Sequence, residues 1–252
     1  MCIYTADCIV RIDLACVGHS GEEPVFAASP LDWGSLFPSD VLPVYMDSSL
    51  LPMTDNAEEK LAIIFHDLRC FTSAINANVR RHKRWESNSF QIIINSIQSR
   101  LLQLSSTPKQ PLRECLRLGM LAFLTTTFVV PGRRIPYTFL AERLQSAIQA
   151  LAEGEELSGH STIRLWALMM GAISFLDIES DWICAAWRAW LPTVAMSWKQ
   201  FRMQLMSVMW IECMHDELGR TVFQRLSLSS QSSGKDIPDD IVGCDSMSIT
   251  PH

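Results

Sequence analysis

The sequence predicts an all-α fold, a single helical domain of about seven to eight packed helices between an irregular N-terminal arm and a disordered C-terminal tail. Two patterns carry this expectation. Apolar residues recur at helical spacing through the middle of the chain, and no stretch alternates apolar and polar side chains well enough to compete as a strand. Proline and glycine mark most ends of the periodic stretches. The boundaries that follow are 1–54 for an acidic, proline-containing arm, 55–226 for the helical domain and 227–252 for a Ser/Asp-rich tail.

Each element has a local cause. Prolines 24, 30, 38, 43 and 52 recur too closely for a long helix in the arm. Apolar clusters there, among them Leu31, Trp33, Leu36 and Phe37, suit a partly docked segment. Asp55 to Glu58 has the form of a helix N-cap with a glutamate three residues on, which satisfies free amides of a first turn. Leu61, Ile64, Phe65, Leu68, Phe71, Ile75 and Val79 then share one stripe. A second stripe in residues 88–104 holds Phe90, Ile93, Ile94, Ile97, Leu101 and Leu104. Pro108 and Pro111 separate it from residues 112–130, apolar almost all round and so expected at the centre, with Pro131-Gly132 as the stop. Residues 138–151 end near Gly154; residues 161–178 are again apolar on most sides. Residues 180–196, 197–215 (with a serine cap) and a short helix from Gly219 to Arg225 complete the body. The rest has too little to bury for a fixed structure.

Composition narrows the function classes. The 252 residues carry a net charge of -6, the wrong sign for a chain coated to grip phosphates. Residues 1–57 hold eight acids and one base, whereas residues 58–226 hold 15 acids and 19 bases, so the acidity belongs to the arm. The longest apolar runs, 118–130 and 165–176, fall short of the ~20 residues a membrane span needs. No secretory leader is evident, so an intracellular, soluble chain with no membrane partner is expected. Eight scattered cysteines form no C-x-x-C pair; reduced, buried thiols are expected.

Several clusters could carry chemistry. His66-Asp67 and His215-Asp216 have the form of adjacent imidazole and carboxylate ligands in helical metal-dependent phosphohydrolases, with Asp177 and His19 as the further ligands such a site needs. The competing reading is chance placement on polar helix faces. Asp177, Glu179 and Asp181 could hold a hard cation, or could cap and charge a helix start beside Ser180. Arg80, Arg81, Lys83 and Arg84 form a basic run that suits phosphate contact, an import signal or a solvated helix end. Trp166, Trp182, Trp187, Trp190 and Trp210 are dense enough to line an effector pocket, or to fill a core. No Gly-x-Ser-x-Gly, phosphate-cradling glycine loop or zinc-protease histidine pair occurs, and no catalytic residue, cofactor or metal ligand is assigned.

Ordered segments of the body resemble a known family. Arg100-Leu101-Leu102 with Leu104, Cys115 through Leu124, and the Leu165-Trp166 to Gly171-Ala172 helix look like the middle of the fungal-specific transcription factor domain. Trp198, Trp210-Ile211, His215-Asp216, Gly219-Arg220 and Phe223 resemble that family's closing segment, and the resemblance spans about residues 55–226. It implies a non-enzymatic, nuclear regulatory region that acts through other regulatory proteins or a DNA-binding module; the tryptophan-rich segment adds a small apolar effector as a further expected partner. The resemblance also implies that Trp210, His215, Asp216, Gly219 and Arg220 are structural. The family's six-cysteine zinc cluster has no counterpart in residues 1–57, so strong direct DNA binding is not expected of this chain. A regulatory domain standing alone, a fragment of a longer factor and a relative that lost its DNA-binding half all fit. The alternatives from other classes are the phosphohydrolase and a helical enzyme of secondary metabolism with an aromatic-lined cavity.

Overall fold

The computed structural model describes residues 56–83, 87–104, 110–127, 137–153, 161–191 and 196–232, and the arm, Arg84, His19 and residues 233–252 lie outside them. The described residues form eight helices and no strand: α1 Asn56–Arg80, α2 Ser87–Gln103, α3 Pro111–Thr127, α4 Thr138–Glu153, α5 Ser161–Ser174, α6 Asp181–Trp190, α7 Trp198–Val208 and α8 Glu212–Ser232. The fold is all-α.

Helices α3 and α5 form the centre, as their all-round apolarity predicts. Every residue of α3 from Arg113 to Thr126 is buried, and so is every residue of α5 from Ile163 to Ile173. Their contact is the most extensive among the described helices. Gly119 permits it: a Cβ there would stand 2.8 Å from Trp166 Cζ3 and 2.9 Å from Ala167 Cβ. The remaining helices present one apolar stripe each to this pair. Leu61, Phe65, Leu68 and Phe71 of α1 are buried, as are Ile93, Ile94, Ile97 and Leu101 of α2.

Two largely buried ion-pair groups tie helices together, one between α1 and α2 and one between α3 and α4. Arg100 Nη2 of α2 lies 2.7 Å from Asp67 Oδ2 of α1. Glu114 of α3 accepts from Arg117 Nε at 3.0 Å and Nη2 at 2.9 Å, and from Arg143 Nη2 of α4 at 2.9 Å. A buried carboxylate is tolerated only when its charge and lone pairs are met in this way.

Helix α1 ends in a Schellman arrangement, with Lys83 N–H donating to Asn78 O and His82 N–H to Val79 O. His82 takes φ 53° there, a left-handed conformation that glycine adopts without penalty.

Four boundaries differ from the sequence expectation. The predicted helix 197–215 is two helices, because Met209, Trp210 and Ile211 break it; Met209 is fully extended at φ -172°, ψ 122°. Gly219 does not start a new helix but lies inside α8. Its hydrogen makes room for Trp210, whose Cη2 would be 2.6 Å from a Cβ. Helix α8 continues through Ser232, so residues 227–232 of the expected tail are helical. Likewise, α5 stops at Ser174, and a turn follows in which Phe175 and Leu176 both donate to Gly171 O.

Replacing Gly119 by alanine tests the central contact. Helix propensity alone would favour alanine by ~1 kcal/mol, yet overpacking costs ~1–3 kcal/mol. A net loss of stability in denaturant unfolding is expected; a gain would show that α3 and α5 are not in close contact there.

Candidate functional site

The break between α7 and α8 is the polar centre of the molecule. Met209, Trp210 and Ile211 are 2%, 1% and 0% exposed, so their backbone groups have no access to solvent and need partners inside the protein. Three side chains, from α1, α5 and α8, supply them, and a fourth, from α3, holds one of the three. Asn76 of α1 donates through Nδ2 to Trp210 O at 2.7 Å and accepts from Glu212 N–H at 3.0 Å. Trp166 Nε1 of α5 donates to Met209 O at 2.6 Å. His215 Nδ1 accepts from Ile211 N–H at 3.0 Å, and its Nε2 lies 2.7 Å from Thr126 Oγ1 of α3.

These contacts determine the imidazole's protonation. An N–H points at Nδ1, so the ring proton is on Nε2 and is donated to Thr126, whose own hydroxyl donates to Phe123 O at 2.6 Å. A second proton on Nδ1 would face the Ile211 amide hydrogen. Burial pushes the His215 pKa down to about 4, with Asp216 opposing slightly.

Outside this core, the charges are paired. Asp216 Oδ1 accepts from Arg202 Nε at 2.7 Å and from Trp210 Nε1 at 2.8 Å. Partial burial opposes its ionisation, but these two hydrogen bonds hold its carboxyl below the usual range. Glu212 pairs with Arg80 of α1 and with Arg202 Nη2 at 2.8 Å. The Arg80 hydrogen bond, against a desolvation cost and with help from Arg202, holds Glu212 low as well.

Beside the break lies a groove of about 330 Å³ between α1 and α7. Arg69, Thr72, Ser73, Asn76 and Arg80 form its α1 wall, and Met206, Val208, Met209 and Trp210 its apolar side. That volume is at the small end of the ~300–1,000 Å³ typical of small-molecule sites.

The residues singled out in the sequence are distributed as follows. Of the five tryptophans proposed for an effector pocket, Trp210 lines the groove, and Trp166, Trp182, Trp187 and Trp190 do not. Trp166 serves the break; Trp187 is fully buried against Phe201 and Phe223, and Trp190 is stacked by the Arg164 guanidinium at 5.6 Å. Trp182 is half-buried at the start of α6. In the basic run, Arg80 is tied to Glu212 and lines the groove, while Arg81 and Lys83 are exposed.

The metal alternative is not assembled among the described residues. His66 is within 3.8 Å of Cys70 Sγ, Asp67 meets Arg100, and Asp177 is exposed in the turn before α6. His215 and Asp216 point to different neighbours, Thr126 and Arg202. No cluster of three or more histidine, cysteine or acidic residues with metal-binding geometry exists among the described residues. Around Ser180, the helix start of α6 has no side-chain cap, and Ser180 Oγ donates to Asp177 O instead. Cys115 is buried, and desolvation raises its thiol pKa to about 12, which leaves it without nucleophilic character.

The closing-segment residues pack as one unit. Trp210 meets Asp216, His215 and Gly219, and Trp198, Phe201 and Phe223 are in ring contact with one another. Arg220 is exposed and adds a favourable charge near Asp216. Asn76, Arg69, Ser73 and Thr126 carry roles that the sequence pattern did not single out. The signal for three of them was present: Arg69, Ser73 and Asn76 repeat at helical spacing, in line with Arg80, beside the apolar stripe of α1. No protein-family model matches the chain, and neither a curated protein nor a solved structure matches it.

The neutral, buried His215 makes stability depend on pH. Its folded pKa is about 4 against 6.5 for the free side chain, so the unfolded state takes up the proton first. The stability present above pH 6.5 should therefore fall by ~1.4 kcal/mol per pH unit down to about pH 4, about 3 kcal/mol in all. Glu212 and Asp216 add losses only in the more acidic range where carboxylates protonate. Comparing urea unfolding of the native chain and His215→Phe across that range should give a steeper slope for the native chain. Equal slopes would mean that His215 is not held neutral.

Proposed function

We propose that this chain is a nuclear, non-enzymatic regulatory domain of the transcription-factor type. It receives a small effector in the α1–α7 groove and passes that state to a partner or to a DNA-binding module. The observation that carries the proposal is the groove's position: its wall and floor include Asn76, Met209 and Trp210, the residues that hold the α7–α8 break. An occupant there touches α1 and the joint of α7 and α8 together, so it can bias how those helices sit.

Two further features support the reading. The residues that resemble the fungal-specific transcription factor domain, Trp198, Trp210, His215, Asp216, Gly219 and Phe223, are bound to one another rather than scattered. That is the expected behaviour of residues that define a fold. The charge balance also suits a domain that works through protein contacts, since the helical body is close to neutral and the arm is acidic.

A reporter experiment tests the proposal. Fused to a heterologous DNA-binding domain, the chain should enter the nucleus and shift reporter output away from that of the DNA-binding domain alone. Output that stays the same as the control, with the fusion expressed and nuclear, would overturn it.

A further inference from the structure

We propose that the outer face of α8 is a self-complementary interface on which a second copy of this chain docks antiparallel. This goes beyond the regulatory reading above and does not depend on it.

Helix α8 has two faces. His215, Val222, Phe223 and Leu226 are buried and seat it on the body, where it meets α5 and α6. Met214, Leu218, Thr221, Arg225 and Leu228 follow one another along the other side at intervals of four, three, four and three residues. That spacing keeps a stripe of side chains turned toward a partner helix. Leu218 is 48% exposed and Leu228 66%; Thr221 and Arg225 are exposed, and Met214 is half-buried. The stripe runs ~21 Å along the helix. The other exposed large apolar residues, Ile63, Val79, Ile92 and Met203, form no such series among the described residues.

The charges on this face select its occupant. Glu217 and Arg225 are both exposed, and neither has an ion-pair partner among the described residues. They are eight residues apart, beyond the three- or four-residue spacing at which side chains pair along one helix. A second α8 laid antiparallel about a two-fold axis at Thr221 brings Glu217 of each copy level with Arg225 of the other, because both positions are four residues from the axis. Met214 comes level with Leu228 of the second copy by the same symmetry. Leu218 then lies on the aliphatic stem of Arg225 of the second copy, whose guanidinium stays at the polar edge beside Glu217. Parallel pairing would set Glu217 against Glu217 and Arg225 against Arg225, and like charges so placed cost affinity. The face therefore fits its own copy in one direction. A single helix face offers less than the ~800 Å² per partner of a standard interface, and a threonine and an arginine sit in its seam, so the dimer is weak, with a Kd of ~10–100 µM.

Sedimentation equilibrium of the full chain tests this and should show a reversible monomer–dimer equilibrium between ~5 and ~500 µM. Leu228→Glu, at a position 66% exposed, should remain monomeric across that range, with its urea-unfolding midpoint at low protein concentration unchanged. Glu217→Arg and Arg225→Glu should each weaken the dimer at least about tenfold, since symmetry counts every reversed pair twice. Combining the two should restore the native affinity. The inference is overturned by a native chain that stays monomeric up to ~500 µM, by a Leu228→Glu protein that dimerises as the native chain does, or by a double variant no tighter than the single ones. Growth beyond the dimer would overturn it as well, because a two-fold interface closes on itself.

Discussion

A helix that breaks inside a protein core exposes backbone groups where water cannot reach, and the rest of this fold is arranged around one such break. Between α7 and α8, the carbonyls of Met209 and Trp210 and the amides of Ile211 and Glu212 are deprived of intrahelical partners. Leaving buried groups of this kind unpaired costs ~1–3 kcal/mol each. Trp166, Asn76 and His215 satisfy them, and each comes from a different helix. The positions of α1, α3 and α5 relative to the joint are thereby specified by directional bonds, which apolar packing alone does not provide.

The same demand explains choices that otherwise look unrelated. His215 must stay neutral to accept from Ile211, so its other nitrogen needs an acceptor, and Thr126 provides one. Trp210 must turn its ring toward α8, so position 219 can carry no side chain. Once the indole is there, its N–H reaches Asp216, and Arg202 completes that carboxylate's pairing. The central packing of α3 on α5 relies on a second glycine, Gly119, and for the same physical reason: a large indole sits where a Cβ would be. In both places a tryptophan supplies buried area and a hydrogen-bond donor together, which a phenylalanine could not.

Most of the fold was legible because it rests on period. The stripes in α1 and α2 and the all-round apolarity of α3 and α5 are properties of neighbouring residues, and the helices form where those patterns lie. The α7–α8 break was not legible. Residues 208–211 are apolar, with neither proline nor glycine, and continue the helical pattern in sequence; only the distant Asn76 and Trp166 make an extended conformation there affordable. Gly219 misled for the matching reason, since a glycine that admits a neighbour's ring and a glycine that ends a helix are the same letter. The tryptophans suggested a pocket by density, but density reports packing volume, and only Trp210 lies on the groove. What the pattern could have revealed was the polar stripe of α1, Arg69, Ser73, Asn76 and Arg80, one helix turn apart beside the helix's buried apolar face.

That stripe links the α7–α8 joint to the groove beside it. Asn76 is both a tie to the joint and part of the groove wall, and Arg80 is both a tie to α8 and a groove cation. The two ties differ in strength for reasons visible in their surroundings. Asn76 holds two backbone groups at a part-buried position, where replacing it would strand both. Arg80 holds a half-buried carboxylate that has a second partner, Arg202, so its loss weakens the pairing of Glu212 without leaving that charge alone.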